Sequence, residues 1–410
     1  MSDFAKKLDR YAELIVKIGA SVQRGQTVVV NASLDGAELT RLVVKKCYEA
    51  GAYNVKVFWT DETVTRLKYD LAPDDAFREE PKWQAAEKLE LARAGAATIN
   101  IMSDNPDLLS GVPGSRIADA QLAAGRAMQE YRVLSRGFKF SWNIATTPSK
   151  GWADKVFPEA PEAERIGLLW DTIFKLVRAD REDTLAAWEE HLSNLKRRAD
   201  ILNAKQYRAL RYAAPGTDLT IELPRDHIWL GGRKQNADGI WFVPNLPTEE
   251  LYTAPKRDGV RGRVSSTKPL SYAGQIIEDF TLEFEEGRAV RTSAARGADA
   301  LARLVQMDEG AAYLGEVALV PHRSPISDSG LLFYKTLFDE NASCHLAVGG
   351  AYSSCIAGGA DMSQEELSAR GLNNSTVHTD FMVGSGELDI FGVTADGGEE
   401  QVFTKGAWAF

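Results

Sequence analysis

A histidine and an aspartate two residues apart, His378 and Asp380, lie in a stretch of strand composition, Thr376-Val377-His378-Thr379-Asp380-Phe381-Met382-Val383. Side chains two apart on a strand share a face, so the imidazole and the carboxylate can converge on one point. Such a pair suits zinc, cobalt, iron or manganese; an exposed strand edge with a salt link satisfies the same pattern. His345 follows the acidic turn Asp339-Glu340-Asn341 and enters a short apolar run that ends at Gly349-Gly350. There it needs partners for both ring nitrogens, either a metal with a second acceptor or hydrogen bonds in the core. Glu316 is the one charge inside Tyr313–Val320, an apolar strand-like run. Burying a lone carboxylate costs several kcal/mol, so this one calls for Arg, Lys or a metal close by. Glu250 sits beside Glu249 in a turn bracketed by Pro247 and Pro255, a place where a ligand can be held or a solvated turn. His191 reads as a surface residue, His227 and His322 as loop hydrogen-bonders.

The first half of the chain supplies one set of positioning elements. After an amphipathic opening helix (Phe4, Leu8, Tyr11, Ile15, Ile18, with Ser2 as its cap), strand-like segments at Thr27–Val30, Tyr53–Trp59, Ala97–Met102 and Lys139–Ala145 alternate with helical stretches. Alternation of this kind predicts βαβ units and a doubly wound, mostly parallel sheet. Neither GxGxxG nor GxxxxGK[ST] follows the first strand, and without a glycine turn the backbone cannot approach a pyrophosphate, so nucleotide binding is not expected. Helical segments at 161–179 and 183–204 close this part. From about residue 207 short alternating strands with Gly, Pro and Asp turns take over, among them a hairpin at FEEGRAV. The reading is therefore an α/β domain over 1–200 and a β-rich α+β domain over 201–410 that carries the ligand-type residues.

Length and composition narrow the classes. The chain has 410 residues, 44% of them hydrophobic and 26% charged, enough for a large core without disulfides or structural metals. A formal net charge of −10 argues against nucleic-acid backbone or anionic lipid as partner and favours cationic groups such as peptide N-termini and metal ions. Cys47, Cys344 and Cys355 show no CxxC spacing and fit a reducing compartment. No signal-like N-terminus and no membrane-spanning run is legible, and a cytoplasmic location is expected.

Taken in order, PNLPTEELYTAP, AAYLGEVALV, LFDENASCHLAVGGAY and NNSTVHTDFMVGS resemble the signature segments of the aminopeptidase T / aminopeptidase S family of two-metal exopeptidases; SWNIATTPSKGWADKVFP and the Trp-rich helices upstream are similar to it as well. The resemblance implies that Glu250, Glu316, His345, His378 and Asp380 bind two divalent metal ions (Zn2+, Co2+ or Mg2+), with Glu340 as a further candidate ligand. It also implies that Tyr352 supplies a catalytic hydroxyl, that short peptides are the substrates, and that the chain forms a homodimer. The chemistry is consistent: a carboxylate can bridge two metals about 3.5–4 Å apart, and bound water is acidified to a pKa near 7. One ion can then polarise the scissile carbonyl while the other holds the free α-amine. Glu249 and Glu387 are candidate proton shuttles.

Two rival readings remain. His345, His378 and Asp380 alone make the ligand set of a non-haem iron ring-cleaving dioxygenase, which has no need of Glu250 and Glu316. A non-catalytic binding protein would leave a buried carboxylate cluster repelling itself.

Overall fold

The computed structural model describes residues 2–103, 105–272 and 275–410. They form two compact units, one of Met1–His191, Arg233–Pro247 and Leu332–Lys335, the other of Leu192–Gly232, Thr248–Leu331 and Thr336–Phe410. The mixed α/β architecture expected from the sequence is present, with a parallel sheet in the N-terminal region and antiparallel sheets later.

In the first unit, β1 (Thr27–Ser33), β2 (Asn54–Thr60), β3 (Ala97–Met102) and β4 (Trp142–Thr146) make a parallel sheet in the order β2-β1-β3-β4. The run Val28-Val29-Val30 is buried, as β-branched residues in a covered central strand should be. Leu39, Val43 and Cys47 bury one stripe of the helix Ala37–Glu49. Gly51, at φ +92°, follows that helix in the left-handed conformation that ends it. Ser2 caps the opening helix by accepting from the Ala5 N–H at 3.2 Å. The Tyr11 hydroxyl donates to Thr146 O at 3.2 Å and accepts from its N–H at 3.0 Å, fixing that helix to β4. β4 starts later than expected because Phe138 turns left-handed (φ +49°) and the Lys139 N–H is still spent on Leu134 O. Gly36, in the turn after β1, is explained by packing: a Cβ there would lie 2.7 Å from Thr147 Cγ2.

The second unit holds two large antiparallel sheets and, among the described residues, a small two-stranded one at Leu270–Tyr272 and Gln275–Ile277. An eight-stranded sheet runs in the order 288–293, 281–285, 260–265, 217–222, 209–214, 389–393, 399–404, 407–408. Its hairpin turns at Glu286-Gly287, both with positive φ (46° and 80°), the conformation a two-residue turn matched to strand twist requires. The other sheet has five strands: β5 (Leu230–Gly231), β6 (Leu251–Thr253), β7 (Leu314–Leu319), β8 (His345–Gly349) and β9 (His378–Met382), ordered β9-β8-β7-β6-β5. Leu251, Leu314, Val317, Leu319, Leu346, Val348 and Phe381 give this sheet one face in the hydrophobic core with Leu210, Tyr212, Leu282 and Phe284.

A bulge in β7 decides what the opposite face carries. Leu314 pairs with Val348 but Glu316 with Ala347, so Gly315 is the extra residue. An inserted residue reverses the alternation of side chains, which puts Leu314, Val317 and Leu319 in the core while Glu316 points the other way. A Cβ on Gly315 would collide with the carbonyl oxygens of Gly349 and Gly350. Gly315→Val is therefore expected to lower unfolding free energy by about 2–4 kcal/mol. Gly167→Ala, in open space on the helix Glu162–Leu176, should change it by less than about 1 kcal/mol. Denaturant melts of the two variants check this, and equal effects would contradict the bulge's role.

No helix among the described residues is long and apolar enough to cross a membrane. Cys47, Cys344 and Cys355 are buried and free.

Candidate metal centre

The face opposite the core collects the ligand-type residues by register. Since Leu251, Val317, Leu346 and Phe381 point into the core, alternation places Glu250 and Tyr252, Glu316 and Ala318, His345 and Ala347, and His378 and Asp380 on the other side. Ala347 lies opposite Glu316 on one flank and Asp380 on the other, and Ala318 lies opposite both Tyr252 and His345. These two methyl groups leave the space above the strands to the longer side chains around them.

Four of the charged groups surround Glu316. Its Oε1 lies 3.7 Å from His345 Nε2 and its Oε2 3.3 Å from His378 Nε2. His345 Nε2 is also 3.5 Å from Glu250 Oε2, and His378 Nε2 is 3.5 Å from Asp380 Oδ1. The result is two triads of donor atoms, Glu250–Glu316–His345 and Glu316–His378–Asp380, each within 4.8 Å, with Glu316 in both. Glu250, Glu316 and His345 are buried, whereas His378 and Asp380 are half-buried.

Each imidazole is oriented from behind. His345 Nδ1 meets Ser343 O at 3.1 Å and His378 Nδ1 meets Gly350 O at 2.8 Å. A carbonyl only accepts, so Nδ1 carries the proton in both rings and a neutral ring presents its Nε2 lone pair to the carboxylates. A lone pair facing carboxylates is repulsive unless a proton or a cation lies between. Two donors each about 2.1 Å from one ion at a tetrahedral angle are roughly 3.4 Å apart, which matches the observed 3.3–3.7 Å. The donor set fits divalent cations.

Electrostatics of the metal-free chain tell the same story. Burial alone would depress His345 and His378, but hydrogen bonds and charges from Glu316, Asp380 and Glu250 overcome it, raising His345 to about 10. Asp380 and Glu316 likewise raise His378 to about 11. Burial pushes Glu316 up, and the two imidazoles more than offset that, bringing it to about 2. Glu340, in the turn Glu340–Ala342 just before β8, is held well above the usual carboxylate range by burial and then by Glu250 and Asp380. It therefore belongs to the same charge cluster.

The remaining sequence candidates divide. The Tyr352 ring packs 4.9 Å from the His378 ring and 6.1 Å from Tyr252. Glu249 is buried and bears on the charge of Arg198. Glu387 is exposed in the turn after β9, its N–H donating to Ser385 Oγ at 3.2 Å. His227 is buried with Nδ1 3.0 Å from Pro224 O, a loop hydrogen-bonder as expected. His191 differs from its surface reading: it is half-buried, with Arg178 Nη2 3.2 Å from Nδ1 and Trp188 edge-on one helical turn away.

Two residues escaped the sequence reading. Tyr252 shares the site face with Glu250, and burial, with Cys355, Glu316 and Glu250 adding to it, pushes its phenol up. The same two-residue spacing that singled out His378 and Asp380 points to it. Asn341 is fully buried, accepts from the Glu249 N–H at 2.7 Å and donates to Leu337 O at 3.0 Å. It thereby ties the segment bearing Glu250 to the turn bearing Glu340, a long-range contact that spacing cannot reveal.

Residues 4–408 match the family described as thermophilic metalloprotease (M29). The chain belongs to the M29 metalloprotease family. Aminopeptidase AmpS of Bacillus subtilis is 54% identical over 410 residues, covering 100% of each chain. Aminopeptidase T of Thermus thermophilus is 39% identical over 408 residues, again 100% of both. The solved structure of wild-type AmpT from Thermus thermophilus superposes with a TM-score of 0.94 at 37% identity, covering 99% of this chain and 100% of that one. This M29 protein is accordingly a metallo-aminopeptidase, a hydrolase that acts on peptides and depends on divalent metal. The dioxygenase alternative finds no support. Its trio is divided between the two triads, His345 in one and His378 with Asp380 in the other.

In chelated protein, His345 and His378 should remain imidazolium well past neutrality, titrating near 10 and 11. Because these values lie above the ordinary 6.5, their contribution to stability is complete below about pH 6.5. It is lost as pH rises through the folded values. Histidine ring NMR signals followed from pH 5 to 11 check this; titration of both rings near 6.5 would contradict the arrangement.

Proposed function

We propose that this M29 enzyme removes N-terminal residues from short peptides with two divalent ions, one held by Glu250, Glu316 and His345, the other by Glu316, His378 and Asp380. Glu340 completes the first set. The observation that carries the proposal is the division of Glu316, one oxygen toward each histidine. Four carboxylates balance the charge of two divalent ions once both imidazoles are neutral. Bound zinc, cobalt or magnesium would supply Lewis-acid polarisation of a carbonyl oxygen and acidification of water.

The chain's own residues do the rest. With their charge balanced by the ions, Glu250, Glu340 and Asp380 leave a site that would take a peptide's free α-amine as a neutral ligand, which favours cleavage at the first bond. Ser343 O and Gly350 O hold the two imidazoles with Nε2 inward. Tyr352, packed with its ring tilted against His378, donates its hydroxyl proton in a hydrogen bond to the oxyanion that develops on the scissile carbonyl. We assign this chemistry to a catalytic domain over 201–410, with 1–200 as a companion α/β domain. The chain works as a homodimer, and its three free cysteines suit the reducing cytoplasm.

Excess chelator should abolish release of p-nitroaniline from leucine p-nitroanilide, with zinc, cobalt or magnesium restoring it. Glu316→Gln should lower kcat/KM by roughly two to three orders of magnitude. Tyr352→Phe should lower kcat about a hundredfold with KM little changed. Undiminished turnover by protein verified to be metal-free would overturn the reading.

A further inference from the structure

β9 is the last strand of its sheet, and the hydrogen-bond phase shows which of its groups face outward. The Gly350 N–H donates to Val377 O at 2.8 Å and the Val383 N–H to Cys344 O at 2.8 Å, in a register that pairs Gly349 with His378 and His345 with Met382. In an antiparallel pair, residues that bond to the neighbouring strand alternate with residues whose N–H and C=O point the other way. Val377, Thr379, Phe381 and Val383 therefore bond inward to β8, and His378, Asp380 and Met382 direct their backbone groups off the edge. The Thr267 N–H, donating to Met382 O at 2.8 Å, takes one of these outward groups and agrees with the assignment. Among the described residues no turn or loop backbone group bonds the backbone N–H or C=O of His378 or Asp380, and in the ladder to β8 the alternate residues do the pairing.

The two residues whose side chains join the metal-centre cluster thus also present two unpaired sets of backbone donors and acceptors. They are only half-buried. Protein sheets usually protect such an edge with Lys, Pro or a bulge, and Ser375–Val383 contains no Lys or Pro and pairs with β8 without a break in register. An edge left open beside a peptide-hydrolysing site has an obvious occupant in the main chain of an extended peptide, which has the complementary groups at the same two-residue repeat.

We propose that β9 binds the substrate's main chain as a sixth strand, with the backbone N–H and C=O of His378 and Asp380 pairing with residues beyond the scissile bond. The inference rests on the aminopeptidase reading above. It predicts selection for extended peptides without reference to their side chains. It also sets a period of two, because only alternate substrate residues turn their amides toward β9.

A tetrapeptide of Leu-Ala-Ala-Ala type tests this on the metal-loaded full chain, with its amide N-methylated at residue 3 or at residue 4. The scissile amide belongs to residue 2 and stays intact in both. One of the two methylations should raise KM about fivefold or more through a lost hydrogen bond. The other should change it less than about twofold, and kcat should move little in either. Equal effects from both, or none from either, overturn edge pairing. Leucine p-nitroanilide, which has no residue 3 or 4, separates the two claims. If the anilide is cleaved and the scan is flat, only the edge proposal fails; if neither the anilide nor the tetrapeptide is cleaved, the aminopeptidase reading fails and the edge proposal falls with it.

Discussion

Like charges held together out of water constrain everything else in this molecule. Glu250, Glu316 and Asp380 crowd one face of one sheet with Glu340 in the same charge cluster, and His345 and His378 are interleaved with them. Two carboxylates about 4 Å apart repel by roughly 4 kcal/mol at an effective dielectric of 20, and several such pairs cannot persist without compensation. The metal-free chain compensates with protons, which is why both imidazoles are raised and Glu340 is held above its usual range. Divalent ions do the same work with more charge and leave the imidazoles neutral. The M29 family's metal dependence and this arrangement of protons have a common cause.

Sheet geometry delivers the crowding. Strand alternation aims one residue in two at the core, and four strands in fixed register line up the others. β7 would fail at this without its bulge, since Leu314 and Glu316 would otherwise share a face. The collision that any Cβ at Gly315 would meet with Gly349 and Gly350 makes glycine the condition of the bulge. The bulge in turn is the condition of a carboxylate reaching both histidines. Asn341 adds a tether across the fold, fixing the turn of Glu340 to the approach of Glu250.

Much of this was legible beforehand. The four parallel strands announced themselves as short strand-like runs between helical stretches, and the hairpin at Glu286-Gly287 as a turn dipeptide between alternating segments. His378 and Asp380 could be paired from their spacing alone, and Glu316 from being a charge where no charge belongs. What spacing could not give was convergence: Glu250, Glu316, His345 and His378 come from four strands separated by tens of residues, and their register depends on pairings that no local pattern encodes. Tyr252 was within reach of the same alternation argument, whereas Asn341 looks like any turn asparagine until the contact with Glu249 is seen. His191 was misjudged because its charged surroundings hid a helix face shared with Trp188.

The central claim is that Glu316 stands between two cations. Anomalous diffraction from a crystal grown with excess zinc addresses it directly. The account predicts two peaks about 3.5–4 Å apart, one beside His345 and Glu250 and one beside His378 and Asp380, with the Glu316 carboxylate reaching both. A single peak, or peaks lying away from Glu316, would contradict it.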